Sequence, residues 1–410
     1  MAKQKSSKSD SSKRLVRLEY LRERKRRRKL NLGIFVTVVL AAVLFYITGL
    51  YGTSIAVLGD AIDTIAIAMK PGTGWPAKTN MAKVLDSQPL TGGFVVLGET
   101  DLAVYSNHGN QLRRISHGFA RPSISVGDTR FCLYSRTGSQ LQIENRSRTL
   151  YTKNFEQPIL TAEMGKDNSV GVLTRSARYT GELVVYDRTF SEIFHWYATE
   201  KEGTPYLMSF SSNPKRIAVG CLAPSGGVVG MNIQILDITK QKPLSLIQLQ
   251  NTKGYRMEWL TADTLLVITD QFCAVFDEKG NEKARYSYIG KTLKTADVKD
   301  KTIALLFKDG ELQVLDYRLK VMVQQNIAKA DKVIADKNAV YVITENSIQG
   351  ISSKGENLGT QIFEREPYGI VNARDKMVLY GSHVDLLRLV PPPKETEEHS
   401  KTIPSNVESG

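Results

Sequence analysis

The chain has 410 residues, 41% of them hydrophobic and 8% aromatic, with a formal charge of +13. That length and apolar content exclude a disordered chain and leave room for a large buried core. The first thirty residues hold thirteen Lys or Arg against three acidic residues, so +10 of the charge sits in an N-terminal tail; the basicity is local, and without interleaved aromatics it disfavours nucleic acid as a partner.

Residues 1–30 read as a basic cytoplasmic tail, Ser/Lys-rich at first and then helical from Ser12 with Leu15, Leu18 and Leu21 along one side. The run Arg24, Lys25, Arg26, Arg27, Arg28 and Lys29 is a candidate contact for anionic lipid headgroups. It meets about twenty uncharged residues, and residues 31–51 are long enough to cross a hydrocarbon core of roughly 30 Å as one helix. The charge asymmetry across this segment predicts a cytoplasmic N-terminus and export of everything beyond it. A cleaved signal peptide would have a shorter apolar region and a small-residue cleavage site close behind it. The expectation is therefore a cell-membrane protein with a single uncleaved anchor.

Residues 52–81 form a juxtamembrane segment. Ile55, Leu58, Ile62, Ile65 and Met69 recur at helical spacing, and Pro71-Gly72 ends the pattern. This short amphipathic helix fits a spacer resting on a membrane surface or a packing site for a partner helix.

Residues 82–390 change character to short runs of Val, Ile, Leu, Tyr and Phe punctuated by Gly, Asn and Asp. Eight paired runs follow one another, and equivalent third-strand ends at Tyr105, Asn145, Tyr186, Leu236, Phe276, Leu315 and Ile351 are separated by 40, 41, 50, 40, 39 and 36 residues. A period near 40 with four short strands predicts an all-β fold, a β-propeller of seven or eight blades with eight favoured. Asp187, Asp237, Asp277 and Asp316 close third strands ahead of a turn, where their side chains are expected to hold the turn backbone rather than do chemistry. The last unit lacks a fourth strand, and residues 80–90 are the expected source of one from the other end of the domain. Residues 391–410 are a polar tail.

The segment Phe210-Ser211-Ser212-Asn213-Pro214-Lys215-Arg216-Ile217-Ala218-Val219 resembles the blade-opening phrase of WD-repeat-like propellers, and the third strands ending in Asp and then Gly resemble WD-type and quinoprotein-type blades. The whole layout, a basic tail, one span, a short helix and a propeller, resembles a domain-of-unknown-function family of membrane-anchored bacterial propeller proteins. That resemblance implies architecture and brings no known activity.

Chemistry is sparse. The five histidines are scattered without metal-ligand spacing, and there is no Gly-x-Ser-x-Gly elbow, phosphate-binding loop or His-Glu-x-x-His. Cys132, Cys221 and Cys273 are odd in number and lie in apolar runs, so they read as buried thiols. The three tryptophans offer no platform for a quinone, and no cofactor is called for. Two second-to-third-strand loops stand out. One carries Arg175, Arg178 and Tyr179, which suit an anionic partner. The other, Leu222 to Gly230, is long, apolar and built around Gly226 and Gly227, and it accounts for the 50-residue step. The reading is a non-enzymatic scaffold that binds a protein or polymer in the bacterial envelope; the alternative is an enzyme or small-ligand sensor with its site in the central channel.

Overall fold

A computed structural model of the chain describes residue 72 and residues 74–392. The basic tail with Arg24 to Lys29, the expected span, the juxtamembrane helix and the tail beyond residue 392 lie outside them. Among the described residues no helix is long and apolar enough to cross a membrane.

Eight antiparallel sheets of four strands follow one another around a ring, so the fold is an eight-bladed β-propeller. The innermost strands are Val84–Leu90, Pro122–Val126, Ile159–Met164, Thr204–Phe210, Gly254–Trp259, Leu293–Lys299, Ala330–Ala335 and Pro367–Asn372. The second and third strands of each blade are covered by neighbouring blades on both faces. They consequently read as continuous apolar runs: Phe94, Val95, Val96 and Leu97 are all buried. Outer strands have one solvated face and alternate, as Glu282–Ser287 does between exposed and half-buried positions. The core is divided among the eight blade interfaces. Leu266, Ile268 and Val275 of blade 5, for example, pack on Val298, Ile303, Leu305 and Phe307 of blade 6.

The turn-making role of the third-strand residues is as expected. Asp237 Oδ1 accepts from the amides of Thr239 (3.0 Å) and Lys240 (3.0 Å). Asp187, Asp277 and Asp316 hold their turns in the same way, and Asn145, Ser106 and Ser352 do so in three further blades. The cysteines are buried free thiols, and burial pushes each of them up to about 12.

Ring closure departs from expectation. The missing outer strand of blade 8 is Ala77–Lys78, pairing Ala77 with Val384 and Lys78 with His383, whereas Val84–Leu90 is the innermost strand of blade 1. Two residues make a short strand, and side chains of blade 1 reinforce it. The Tyr105 hydroxyl donates to the Lys78 carbonyl (3.1 Å), Arg114 donates to the Thr79 carbonyl, and Trp75 stacks on Phe94 at 6.0 Å. The C-terminal end is tied separately: Thr360 and Val390 exchange both backbone hydrogen bonds (3.0 and 3.1 Å) on the outer strand of blade 7. Gly359 permits this approach, since a Cβ there would stand 2.4 Å from the Val390 carbonyl oxygen.

Candidate functional site

In a four-stranded antiparallel blade, the first-to-second and third-to-fourth turns lie on one face of the ring. The second-to-third hairpins and the connectors between blades lie on the other. The first face carries the tight polar turns. The second carries most of the exposed large hydrophobic residues, and Tyr179, Tyr197, Leu222, Val228, Val229, Tyr255 and Ile289 all belong to the consecutive blades 3, 4 and 5. Their exposure reaches 57% at Tyr255 and 76% at Ile289.

Each position has a local cause. On blade 3 the loop after Val170–Thr174 leaves Arg175, Arg178 and Tyr179 exposed. Tyr179 meets Tyr197 of the outer strand with ring centroids 4.6 Å apart, and Tyr197 stacks on His195 at 4.6 Å. His195 is fixed between two carboxylates, Glu182 at Nε2 (2.6 Å) and Glu192 at Nδ1 (3.1 Å). The result is a held aromatic ladder with two guanidinium groups nearby in the same loop. Such a surface suits a flat or anionic group on a partner.

On blade 4 the stretch expected as a long loop is mostly strand. Arg216–Ser225 and Val228–Asp237 stay paired out to Ser225 and Val228, leaving a two-residue turn. Gly226 and Gly227 have φ of 59° and 85°, the signature of a type I′ hairpin turn, with open space where their side chains would be. Their role is conformational; what projects from the ring is the apolar pair Val228 and Val229. On blade 5, Tyr255 occupies a bulge between Gly254 and Arg256. The same bulge recurs in the innermost strand of every blade except the second, which sets Leu85, Tyr206 and Tyr368 around the mouth of the channel too.

The channel itself is polar. Arg256 is gripped by Glu258 (2.7 Å) and Asp297 (2.8 Å). Glu163 accepts from the amide of Phe210 at 3.4 Å, and burial pushes its carboxyl up to about 8, an effect that Glu258 adds to and Arg256 opposes. A cavity of about 530 Å³ is lined by Asp86, Ser87 and Gln88 of blade 1 together with residues of blades 5 to 8. Among the described residues, no group of three or more His, Cys, Asp or Glu side chains is placed to hold a metal ion.

The structure thus puts Arg175, Arg178, Tyr179, Gly226 and Gly227 on adjacent blades of one face. Sequence reasoning missed Tyr197, His195, Tyr255 and Ile289. For Tyr255 a signal existed in the recurrent Tyr or Leu at the second or third place of several inner strands; for Tyr197 none did, because its neighbour Tyr179 is reached across a hairpin.

The model of the family described as "Family of unknown function (DUF5711)" matches residues 77–389, and the chain belongs to that family. No curated protein matches the sequence. Among solved structures the chain is similar to BamB from Moraxella catarrhalis, with 10% identity, 76% of this chain and 98% of that one covered and a TM-score of 0.54. It is also similar to Sqt1 from Saccharomyces cerevisiae, with 9% identity, 79% and 100% coverage and a TM-score of 0.59. The C-terminal WD40 domain of Sif2 gives 12% identity, 77% and 99% coverage and a TM-score of 0.57. At these identities the likeness is one of fold, the β-propeller.

Proposed function

We propose that this member of the DUF5711 family is a docking propeller, held at a membrane by its N-terminal segment and acting by binding a protein partner rather than by catalysis. The observation that carries the reading is the gathering of exposed aromatic and branched side chains on one face of blades 3 to 5, where the opposite face of the same blades exposes only Ile193 among its described large apolar residues. Exposed apolar groups gathered in this way mark interaction surfaces, and Tyr with Arg is the usual pairing at the centre of protein interfaces. The membrane and envelope part rests on the sequence: an apolar run long enough for one span, preceded by a strongly basic tail.

The test is site-specific photocrosslinking of the full-length protein in its native membrane. A photoreactive residue at Tyr179, Val229 or Ile289 should capture one and the same partner, and one at Lys240 or Lys354 on the opposite face should not. Capture without dependence on the face, or none from any position, would dispose of the docking reading.

A further inference from the structure

The innermost strand of a blade is an edge strand, and every second N–H along it points away from the sheet and needs an acceptor from elsewhere. At four places among the described residues, on blades 3, 4 and 7, the preceding blade supplies one, Glu163 for the amide of Phe210 being one of them. Ser125 Oγ takes the amide of Met164 (3.0 Å), Thr295 Oγ1 takes that of Val333 (3.4 Å) and Asp297 Oδ2 takes that of Ala335 (2.8 Å). One blade further on, the residues in register with Thr295 and Asp297 are Lys332 and Ile334, and neither can accept.

The strand left facing them is Pro367–Asn372. Lys376, opposite Asn372, gives its carbonyl to Leu387 on the far side (2.8 Å). The Asn372–Lys376 pair is therefore a non-hydrogen-bonded one, and Asn372 and Ile370 direct their amides outward, toward the channel. No acceptor for either is present among the described residues. Gly369, beside them, has no side chain, and the place of its Cβ would be 3.8 Å from both Lys332 Nζ and Ser87 Oγ.

Lys332 makes no ion pair among the described residues. Asp86, on the same wall, spends its oxygens on the amide of Ser87 (2.7 Å) and the Gln88 side chain (2.9 Å). Arg256 is occupied by its two carboxylates. Finally, Asn372 Nδ2 donates to the Ala335 carbonyl (3.3 Å), while its Oδ1 is buried without a donor. All these groups border the same cavity of about 530 Å³.

We propose that this wall of the channel binds a small oxyanion that also carries a hydroxyl group, such as a hydroxycarboxylate or hydrogen phosphate. The anionic oxygens take the Lys332 ammonium, the Ser87 hydroxyl and the amides of Ile370 and Asn372, and the ligand hydroxyl donates to Asn372 Oδ1. This site is separate from the docking face and stands without it.

Calorimetric titration of the full-length protein in mild detergent with inorganic phosphate and with lactate tests the proposal, the two probes separating the two ligand types. At least one should bind saturably. Lys332→Met should weaken that binding tenfold or more, and Lys332→Arg should restore much of it. Ile334→Asp should also weaken it, by placing a carboxylate where Asp297 stands one blade earlier, thereby capping the Asn372 amide from within. Lys354→Met, which removes the same charge from an exposed turn, should leave binding unchanged. Failure of both probes to bind, survival of binding in Lys332→Met, or equal loss in Lys354→Met would each overturn the site.

Discussion

The phenolic hydroxyl of Tyr105, in the third strand of blade 1, donates to the carbonyl of Lys78, in the outer strand of blade 8, across 3.1 Å. One side chain thereby ties the first complete blade to the strand that closes the last. Because that strand is only two residues long, its own ladder is weak, and the ring depends on such clamps. Tyr105→Phe keeps the ring packed on Phe94 and removes only the hydroxyl. It should cost about 1 kcal/mol in a denaturant titration and raise amide exchange at His383 and Val384 well before other blades are affected. Unchanged exchange there would show that the clamp is dispensable.

Topology can be read with a single thiol. The native cysteines are buried and their thiols pushed up to about 12, so they are poor nucleophiles at neutral pH. A cysteine introduced by Lys354→Cys sits in an exposed turn and should be the one reactive thiol of the propeller. If the domain is exported, a membrane-impermeant maleimide will label it in intact cells stripped of their wall. Labelling only after lysis would place the propeller in the cytoplasm and end the envelope part of the proposal.

The blade 4 hairpin offers a test that separates docking from folding. Gly226→Ala together with Gly227→Ala forces two side chains into left-handed backbone at roughly 1 kcal/mol or more each. The turn projects past the paired strands into open space, so the melting temperature of the propeller should change little. Crosslinking from Val229 should fall severalfold, and Gly226→Asn with Gly227 retained should preserve it, because Asn-Gly suits the same turn. Equal crosslinking in all three proteins would remove the hairpin from the interface.

How far the sequence reveals this molecule differs between its parts. Blade number and strand order follow from the period, because each middle strand is buried on both faces and must be written as a short apolar run. Closure by Ala77–Lys78 is hidden, since two residues that borrow their stability from Tyr105, Arg114 and Trp75 leave no periodic trace. The reach of Arg216–Ser225 and Val228–Asp237 is obscured by Pro224 and the two glycines, which look like loop and are in fact an edge position and a hairpin turn. The free amides of Ile370 and Asn372 are legible only once the register shows Lys332 and Ile334 standing where Thr295 and Asp297 stand in the preceding blade.

Glu163 makes the stability of the propeller depend on pH in a direction that can be stated. Its carboxyl is desolvated and faces Glu258, with Arg256 and the amide of Phe210 opposing the shift, and it stands near 8 in the fold against an ordinary value of 4.5. The folded protein thus holds this proton more tightly than the unfolded chain. The associated stability is complete below about 4.5 and is progressively lost as pH rises toward 8. Asp237, Asp277, Glu282 and Glu311 are shifted down, so their contribution fades on acidification below the ordinary carboxylate range and does not mask the effect. Burial likewise raises Glu144, which Arg113 opposes, and lowers His117. The difference between wild type and Glu163→Gln isolates the one carboxyl. Relative to wild type, Glu163→Gln should gain stability steadily from pH 5 to pH 8, the side-chain amide keeping an oxygen for the Phe210 amide. A constant difference across that range, measured by thermal melting at fixed ionic strength, would mean that Glu163 is ionised in the folded channel and that the cluster around Arg256 carries its full negative charge.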